Sequence, residues 1–70
     1  MKFGEIMLRG KTEWVIYEKL EDGKEIFRKR ARCGGNAIYH YENYELVKAK
    51  VRGKVYGTWT SIKVVLKKGE

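Results

Sequence analysis

The sequence predicts a mostly β, mainly antiparallel domain, folded as a small closed barrel of the SH3-like or OB-like kind with five to six short strands. Apolar and polar residues alternate in several short runs, glycine-containing turn signals separate the runs, and no proline interrupts them. Barrel closure is expected because it removes the exposed strand edges of an open sheet. The alternative is an α+β fold with one helix near residues 43–52.

The first three predicted strands are residues 2–9, 13–20 and 25–33. The first run alternates imperfectly, whereas the second is rich in the aromatic and β-branched residues that suit a pleated sheet. Asp22-Gly23 lies between the second and third runs. This dipeptide predicts a tight hairpin, because both positions tolerate positive φ.

The length of this hairpin loop sets the pairing of the two strands. With a two-residue loop, the facing pairs are Leu20 with Glu25, Ile16 with Lys29, Trp14 with Ala31, Arg28 with Tyr17 and Arg30 with Val15. A three-residue loop with a bulge would shift this pairing by one residue. In either case we expect the alternation within residues 25–33 to be uninterrupted.

Residues 25–33 are expected to form the central strand of a three-stranded meander. Gly34-Gly35 predicts a second tight turn, after which residues 37–41 return beside the central strand. Side chains of a strand point alternately to opposite faces of the sheet, which defines two sets. The predicted core face carries Trp14, Ile16, Leu20, Phe27, Ala31, Cys33 and Ile38. The opposite face carries Val15, Tyr17, Arg28, Arg30, Arg32, Tyr39 and Tyr41.

Residues 44–51 fit two patterns. Val47, Ala49 and Val51 alternate with basic residues, as in a half-buried strand, while Tyr44, Val47 and Val51 also fit one face of a helix. We favour the strand and keep the helix as the alternative.

Glycine punctuates the rest of the chain. Gly53 is expected to form a turn, and residues 54–67 then form one long strand or two strands bent at Gly57. Near the end of this stretch, Ile62, Val64 and Leu66 alternate with Lys63, Val65 and Lys67, as expected of a strand.

The composition indicates one small domain spanning residues 1–70, located in the cytoplasm. Cys33 is the only cysteine, so the chain forms no internal disulfide of the kind that secreted domains use. No signal-peptide pattern opens the sequence, and no apolar run approaches the roughly 20 residues of a membrane span. Lys and Glu dominate the charged residues and Gln is absent, a bias typical of thermophile proteins.

Positive charge is concentrated in the last two thirds of the chain. Residues 1–27 contain five Lys/Arg and six Asp/Glu, a net −1, whereas residues 28–70 contain eleven and three, a net +8. The total of +7 predicts an acidic partner such as nucleic acid, a membrane surface or an acidic protein.

The alternating arginines of residues 25–33 predict a nucleic-acid site. Along a strand, Arg28, Arg30 and Arg32 would stand about 6.8 Å apart, a spacing that can follow consecutive phosphates. Neighbouring tyrosines could stack on unpaired bases, so RNA or single-stranded DNA is favoured over duplex DNA. The candidate site comprises Arg28, Arg30, Arg32, Tyr17, Tyr39, Tyr41, Lys48, Lys50, Arg52 and Lys54.

An alternative function is a protein-interaction module or inhibitor that acts through an exposed strand edge or the basic surface. Enzymatic activity is not expected, because His40 is the only histidine and has no second metal ligand or nucleophile at a recognised spacing. No cofactor is predicted. The expected partner is RNA or DNA, as in a ribonucleoprotein, or a protein for the alternative function, with no membrane partner, and a monomer is favoured over a homodimer.

Overall fold

A computed structural model describes residues 1–69 and shows a single open sheet of four strands. The strands are β1 (Thr12–Lys19), β2 (Glu25–Arg32), β3 (Glu45–Val55) and β4 (Trp59–Lys67), and 3-10 helices span Phe3–Glu5 and Asn36–Tyr41. The strand order is β2-β1-β4-β3, with β1 and β4 parallel and the other pairs antiparallel. The predicted β class is confirmed, whereas the closed barrel of five to six strands is wrong. Within residues 1–69, no helix has the length and apolarity that crossing a membrane would require.

The sheet has two open edges because two predicted strands do not extend it. The predicted strands over residues 2–9 and 37–41 are replaced by the two 3-10 helices, which pack on one face of the sheet. The edge strands are therefore β2 and β3, and the prediction of a central position for β2 is wrong. The central strands β1 and β4 are parallel neighbours from opposite ends of the chain, so the connection between them includes both β2 and β3.

The N-terminal segment is held against the chain by backbone contacts rather than by a strand ladder. The Phe3 amide donates to the Tyr44 carbonyl and the Gly4 amide to the Glu42 carbonyl, both at 2.8 Å. A Cβ atom at Gly4 would lie 2.9 Å from the Glu42 oxygen, so glycine permits this close approach. The predicted strand over 2–9 is wrong, and only Lys2 forms an isolated bridge, to Glu45.

The second 3-10 helix replaces the predicted third strand of the meander. A 3-10 helix has three residues per turn, so Ile38 and Tyr41 lie on the same side and both are buried. The intervening Tyr39 and His40 are exposed. Alternation along residues 37–41 predicts a strand. Ile38 and Tyr41 are three residues apart, so a strand would place them on opposite faces, whereas a helical turn buries both.

The hydrophobic core lies between one face of the sheet and the two short helices. Its members are Phe3, Met7, Trp14, Ile16, Ala31, Ile38, Tyr41, Ile62, Val64 and Leu66. Trp14 is fully buried, its indole N–H donates to the Met7 carbonyl at 3.0 Å, and its ring meets Phe3 edge to face. The predicted burial of Trp14 is confirmed.

The β1–β2 hairpin has a three-residue loop and a compensating bulge. The Leu20 amide donates to the Lys24 carbonyl, which leaves residues 21–23 as the loop, and Gly23 has φ +89°. Beyond the loop Tyr17 faces Phe27, but the next pair is Ile16 with Lys29, so Arg28 is an extra residue. The predicted pairs of Trp14, Val15 and Ile16 are confirmed, and those of Tyr17 and Leu20 are wrong.

The bulge reverses the expected facing of the residues between it and the loop. Phe27 was predicted on the core face, yet it faces Tyr17 on the other side of the sheet and is 53% exposed. Ala31, beyond the bulge, keeps its predicted place in the core. Leu20 and Cys33 are only partly buried.

The ambiguous segment 44–51 belongs to a strand, and the alternative helix near residues 43–52 is wrong. Two register shifts in β3, at Val47 and Arg52, each insert one extra residue opposite β4. The predicted turn at Gly53 is wrong, because this glycine lies within β3, with φ +132°. The chain reverses instead at residues 56–58, so of the two predicted arrangements of residues 54–67 the single long strand is wrong and the break at Gly57 is observed.

Candidate nucleic-acid interface

The sheet face opposite the core is concave. Val15 and Val65 lie on the floor of this face and are only 3% and 1% exposed. Because both 3-10 helices pack on the other face, side chains of the sheet itself bury these two valines. Side chains from the two edge strands reach each other over this floor, since Lys48 of β3 forms an ion pair with Glu25 of β2 at 3.1 Å. Two strands lie between β2 and β3, so this contact indicates that the sheet curls toward this face.

Five cations surround this floor, and we call the concave face they define the basic groove. They are Arg30 and Arg32 of β2, Lys63 of β4, and Lys48 and Lys50 of β3. Arg30 pairs with Val15, Val15 with Lys63, and Lys63 with Lys50. These residues therefore form one row that crosses all four strands.

Much of the positive charge in the groove has no carboxylate partner. Lys48 pairs with Glu25, and the Arg30 Nε lies 3.8 Å from a Glu13 carboxylate oxygen. Among residues 1–69, Arg32, Lys50 and Lys63 form no ion pair. Arg32 and Lys63 instead lie over aromatic rings, of Tyr56 at 4.4 Å and Tyr17 at 4.5 Å, contacts that leave the cations able to attract an anion.

Two aromatic rings accompany the cations. Tyr17 and Phe27 meet edge to face with centroids 5.7 Å apart, and Phe27 is about half exposed. Tyr17 was predicted on the basic face and lies there, whereas Phe27 was missed. One feature of the sequence indicates the position of Phe27. Gly23 at the third loop position fits a three-residue loop with a bulge, and such a bulge moves residue 27 to the face of Tyr17.

Arg28 does not belong to the groove, so the predicted ladder of three arginines is wrong. As the bulge residue it has no partner in the register, and its Nε lies 2.9 Å from the Glu18 carboxylate. Glu18 shares a face with Trp14 and Ile16, because β1 alternates regularly. Arg28 therefore lies at the rim of the core face, opposite Arg30 and Arg32.

Tyr39 and Tyr41 were also predicted at the site, and the structure places neither in the groove. Both belong to the second 3-10 helix on the core side of the sheet, where Tyr41 is buried and Tyr39 is exposed. Burial raises the pKa of the Tyr41 phenol, as do the nearby Tyr44 and Glu18, while Arg28 lowers it. Tyr41 is a core residue whose hydroxyl lies near the rim.

The predicted basic set of β3 is divided by the bulges. Lys48 and Lys50 line the groove, and Arg52 lines a cavity at its end together with Arg30. Lys54 also lines this cavity, and its ammonium donates to the hydroxyl of its strand partner Thr60 at 3.1 Å. The groove and its cavity thus bring together seven residues of the predicted site, Arg30, Arg32, Tyr17, Lys48, Lys50, Arg52 and Lys54, and add Lys63 and Phe27.

Comparison with protein-family models, with curated proteins and with solved structures finds no match for this chain. Among residues 1–69, no three His, Cys, Asp or Glu side chains form a group that could hold a metal ion.

Proposed function

We propose that the chain binds single-stranded nucleic acid, RNA or single-stranded DNA, along the basic groove. The observation that carries this proposal is the presence of three cations, Arg32, Lys50 and Lys63, that form no ion pair within residues 1–69 and lie on a concave face beside the exposed ring of Phe27. A polyanion neutralises such charge and releases the counterions that otherwise surround it, which favours binding.

The exposed aromatic ring of the groove supports a single strand rather than a duplex. Phe27 is 53% exposed and meets Tyr17 edge to face. Arginine and lysine donate to phosphate oxygens, and unpaired bases can stack on Phe27, whereas the bases of a duplex are already stacked on each other. Each stacked base contributes about 1 to 3 kcal/mol to single-strand binding.

The edge-strand alternative receives less support. A partner that adds a strand needs a regular, unpaired edge, but β2 is bulged at Arg28, and β3 is bulged at Val47 and Arg52. Bulges and lysines on an edge oppose strand addition. We therefore propose the groove face rather than an edge as the binding surface.

The test is binding of labelled single-stranded RNA, single-stranded DNA and duplex DNA over a series of salt concentrations. If Arg30, Arg32, Lys50 and Lys63 each neutralise one phosphate, log affinity should fall with log salt with a slope of about −2.8 on a single strand. Absence of binding to all three ligands at roughly 50 mM salt, by folded protein, would overturn the proposal.

A matched pair of variants tests the groove itself. Arg30→Ala removes a groove cation and should reduce the slope by about 0.7, whereas Arg28→Ala removes a cation of the same strand that lies on the other face. Arg28→Ala should therefore leave affinity and slope unchanged. Equal losses in the two variants would show that net charge, rather than the groove, governs binding.

A further inference from the structure

The basic groove ends in a cavity with a carboxylate at its base. The cavity has a volume of about 320 Å³, and its lining includes Glu13, Arg30, Arg52, Tyr56 and Ser61. These residues come from all four strands and from the β3–β4 turn. Because Arg30 belongs to both the groove row and the cavity wall, a nucleic-acid strand in the groove passes the mouth of the cavity.

Glu13 is the unusual residue of this cavity, since it is 2% exposed whereas the other Asp and Glu residues within 1–69 lie nearer the surface. Its Oε2 accepts a hydrogen bond of 2.8 Å from the Tyr56 hydroxyl. Its Oε1 is less well satisfied: the Ser61 hydroxyl lies at 3.5 Å, the limit of a hydrogen bond, and the Arg30 Nε at 3.8 Å. A carboxylate accepts up to about four hydrogen bonds, so Glu13 retains capacity for a ligand.

Tyr56 closes one side of the cavity. It has φ +51°, a left-handed conformation that is uncommon for a residue with a side chain, and its ring is covered by the Arg32 guanidinium at 4.4 Å. Tyr56 and Gly57 have consecutive positive φ values in the tight turn between β3 and β4, so the turn geometry holds the Tyr56 ring beside the cavity.

Resting on the proposed function, we infer that this cavity receives one guanine base of the bound strand and that Glu13 recognises it. A carboxylate is an acceptor only, so it favours a base edge with two adjacent donors. On its pairing edge guanine offers N1–H and the N2 amino group, which together match the two oxygens of a carboxylate. The cations Arg30 and Arg52 at the wall then lie near the phosphates that flank the base.

The other bases fit this acceptor less well. Uracil and thymine present one N–H between two carbonyl oxygens, which the carboxylate repels. Adenine and cytosine each present an amino group beside a ring nitrogen that is itself an acceptor, so only one favourable contact forms. A hydrogen bond to a charged group contributes about 1.5 to 3 kcal/mol, so the second contact corresponds to a preference of about tenfold or more.

The experiment compares a short oligouridylate with the same oligomer carrying one central guanosine, inosine or 7-deazaguanosine. We expect guanosine to raise the affinity about tenfold. Inosine lacks the N2 amino group and should lose most of this gain. The 7-deaza base keeps the pairing edge and should retain it. These comparisons use the unaltered protein, so they do not depend on whether a Glu13 variant folds.

Two protein variants complete the test. Glu13→Gln exchanges one acceptor oxygen for a donor and should lower the ratio of guanosine to uridine affinities from about ten to about one. Tyr56→Phe removes the hydroxyl that occupies Oε2, and should maintain or raise that ratio. Circular dichroism of each variant verifies folding.

The outcomes separate this inference from the proposed function. Binding of oligouridylate with no preference for guanosine, or with a preference for adenosine, overturns the guanine site and leaves the groove proposal intact. Equal affinities for guanosine and inosine also contradict recognition through the N2 amino group. If no oligomer binds, the proposed function itself fails.

Discussion

Trp14 and Phe27 provide a sharp test of the two faces of the sheet, because alternation places both in the core and the structure separates them. Trp14 is fully buried against Phe3, and its N–H donates to the Met7 carbonyl. Phe27 is 53% exposed in the basic groove. The perturbation is truncation of each ring to alanine in otherwise identical protein.

The expected costs differ severalfold. Truncation of a fully buried aromatic side chain costs about 3 to 5 kcal/mol. The free energy of unfolding is roughly 0.05 to 0.15 kcal/mol per residue. For a chain of 70 residues the truncation therefore removes a large part of the total stability. Trp14→Ala should therefore be largely unfolded or lose most of its stability. Phe27→Ala loses only partial burial and an edge contact with Tyr17, so we expect a cost of about 1 kcal/mol or less.

A third variant separates packing from hydrogen bonding at Trp14. Trp14→Phe keeps an aromatic ring in the core but removes the donor to the Met7 carbonyl. Besides the loss of packing, the unpaired carbonyl oxygen should lower the free energy of unfolding by about 1 to 3 kcal/mol. Its stability should fall between those of wild type and Trp14→Ala.

The measurement is urea-induced unfolding followed by circular dichroism, with the free energies taken from linear extrapolation. Two results would contradict this assignment of the two faces. One is a cost for Phe27→Ala as large as that for Trp14→Ala, which would place residue 27 in the core and remove the bulge at Arg28. The other is a Trp14→Ala variant as stable as wild type.

The remaining predictions concern the bulge and a core tyrosine. Deletion of Arg28 should keep the strand pairs on both sides of it and lower the free energy of unfolding by about 1 kcal/mol or less, mainly through the lost ion pair with Glu18. Deletion of Arg30 should move Ala31 out of the core and destabilise the protein more. Equal losses of stability for the two deletions in chemical denaturation would contradict the bulge. Burial raises the pKa of Tyr41, so above about pH 10 the folded state keeps a phenol proton that the unfolded state releases. The free energy of unfolding should therefore decline as the pH rises above about 10. Tyr41→Phe should decline less steeply over the same range in pH-dependent unfolding, and parallel curves would contradict the assignment.

Local patterns were sufficient to predict much of the sheet. The aromatic and β-branched run over residues 13–20 and the alternation over 44–51 both indicated strands, and both are strands. Trp14, Ile16 and Ala31 were predicted on the core face and are buried. These predictions succeed because a two-residue period and turn chemistry depend only on neighbours in the chain.

The candidate site was predicted only in part. Arg30, Arg32 and Tyr17 share a face as the alternation predicts, but a single inserted residue at Arg28 places Phe27 in the groove and removes Arg28 from it. A bulge changes the facing of every residue up to the next turn or bulge. The bulge residue compensates for the odd length of the hairpin loop. Whether a hairpin contains such a bulge depends on which side chains the rest of the protein can bury.

Local sequence patterns predict strands at β1 and β2, favour a strand over a helix at β3, place Trp14 in the core and show the excess of positive charge. For residues 54–67 they leave open one long strand or two strands bent at Gly57. The parallel pairing of β4 with β1 follows from the packing of the whole chain, and it brings Lys63 beside Val15 and completes the row of cations. The tertiary structure also decides the curl that brings Lys48 to Glu25 and makes the basic face a groove. The physical reason is that pairing between distant strands and sheet curvature are set by the burial of a shared core, which no short stretch of the chain encodes alone.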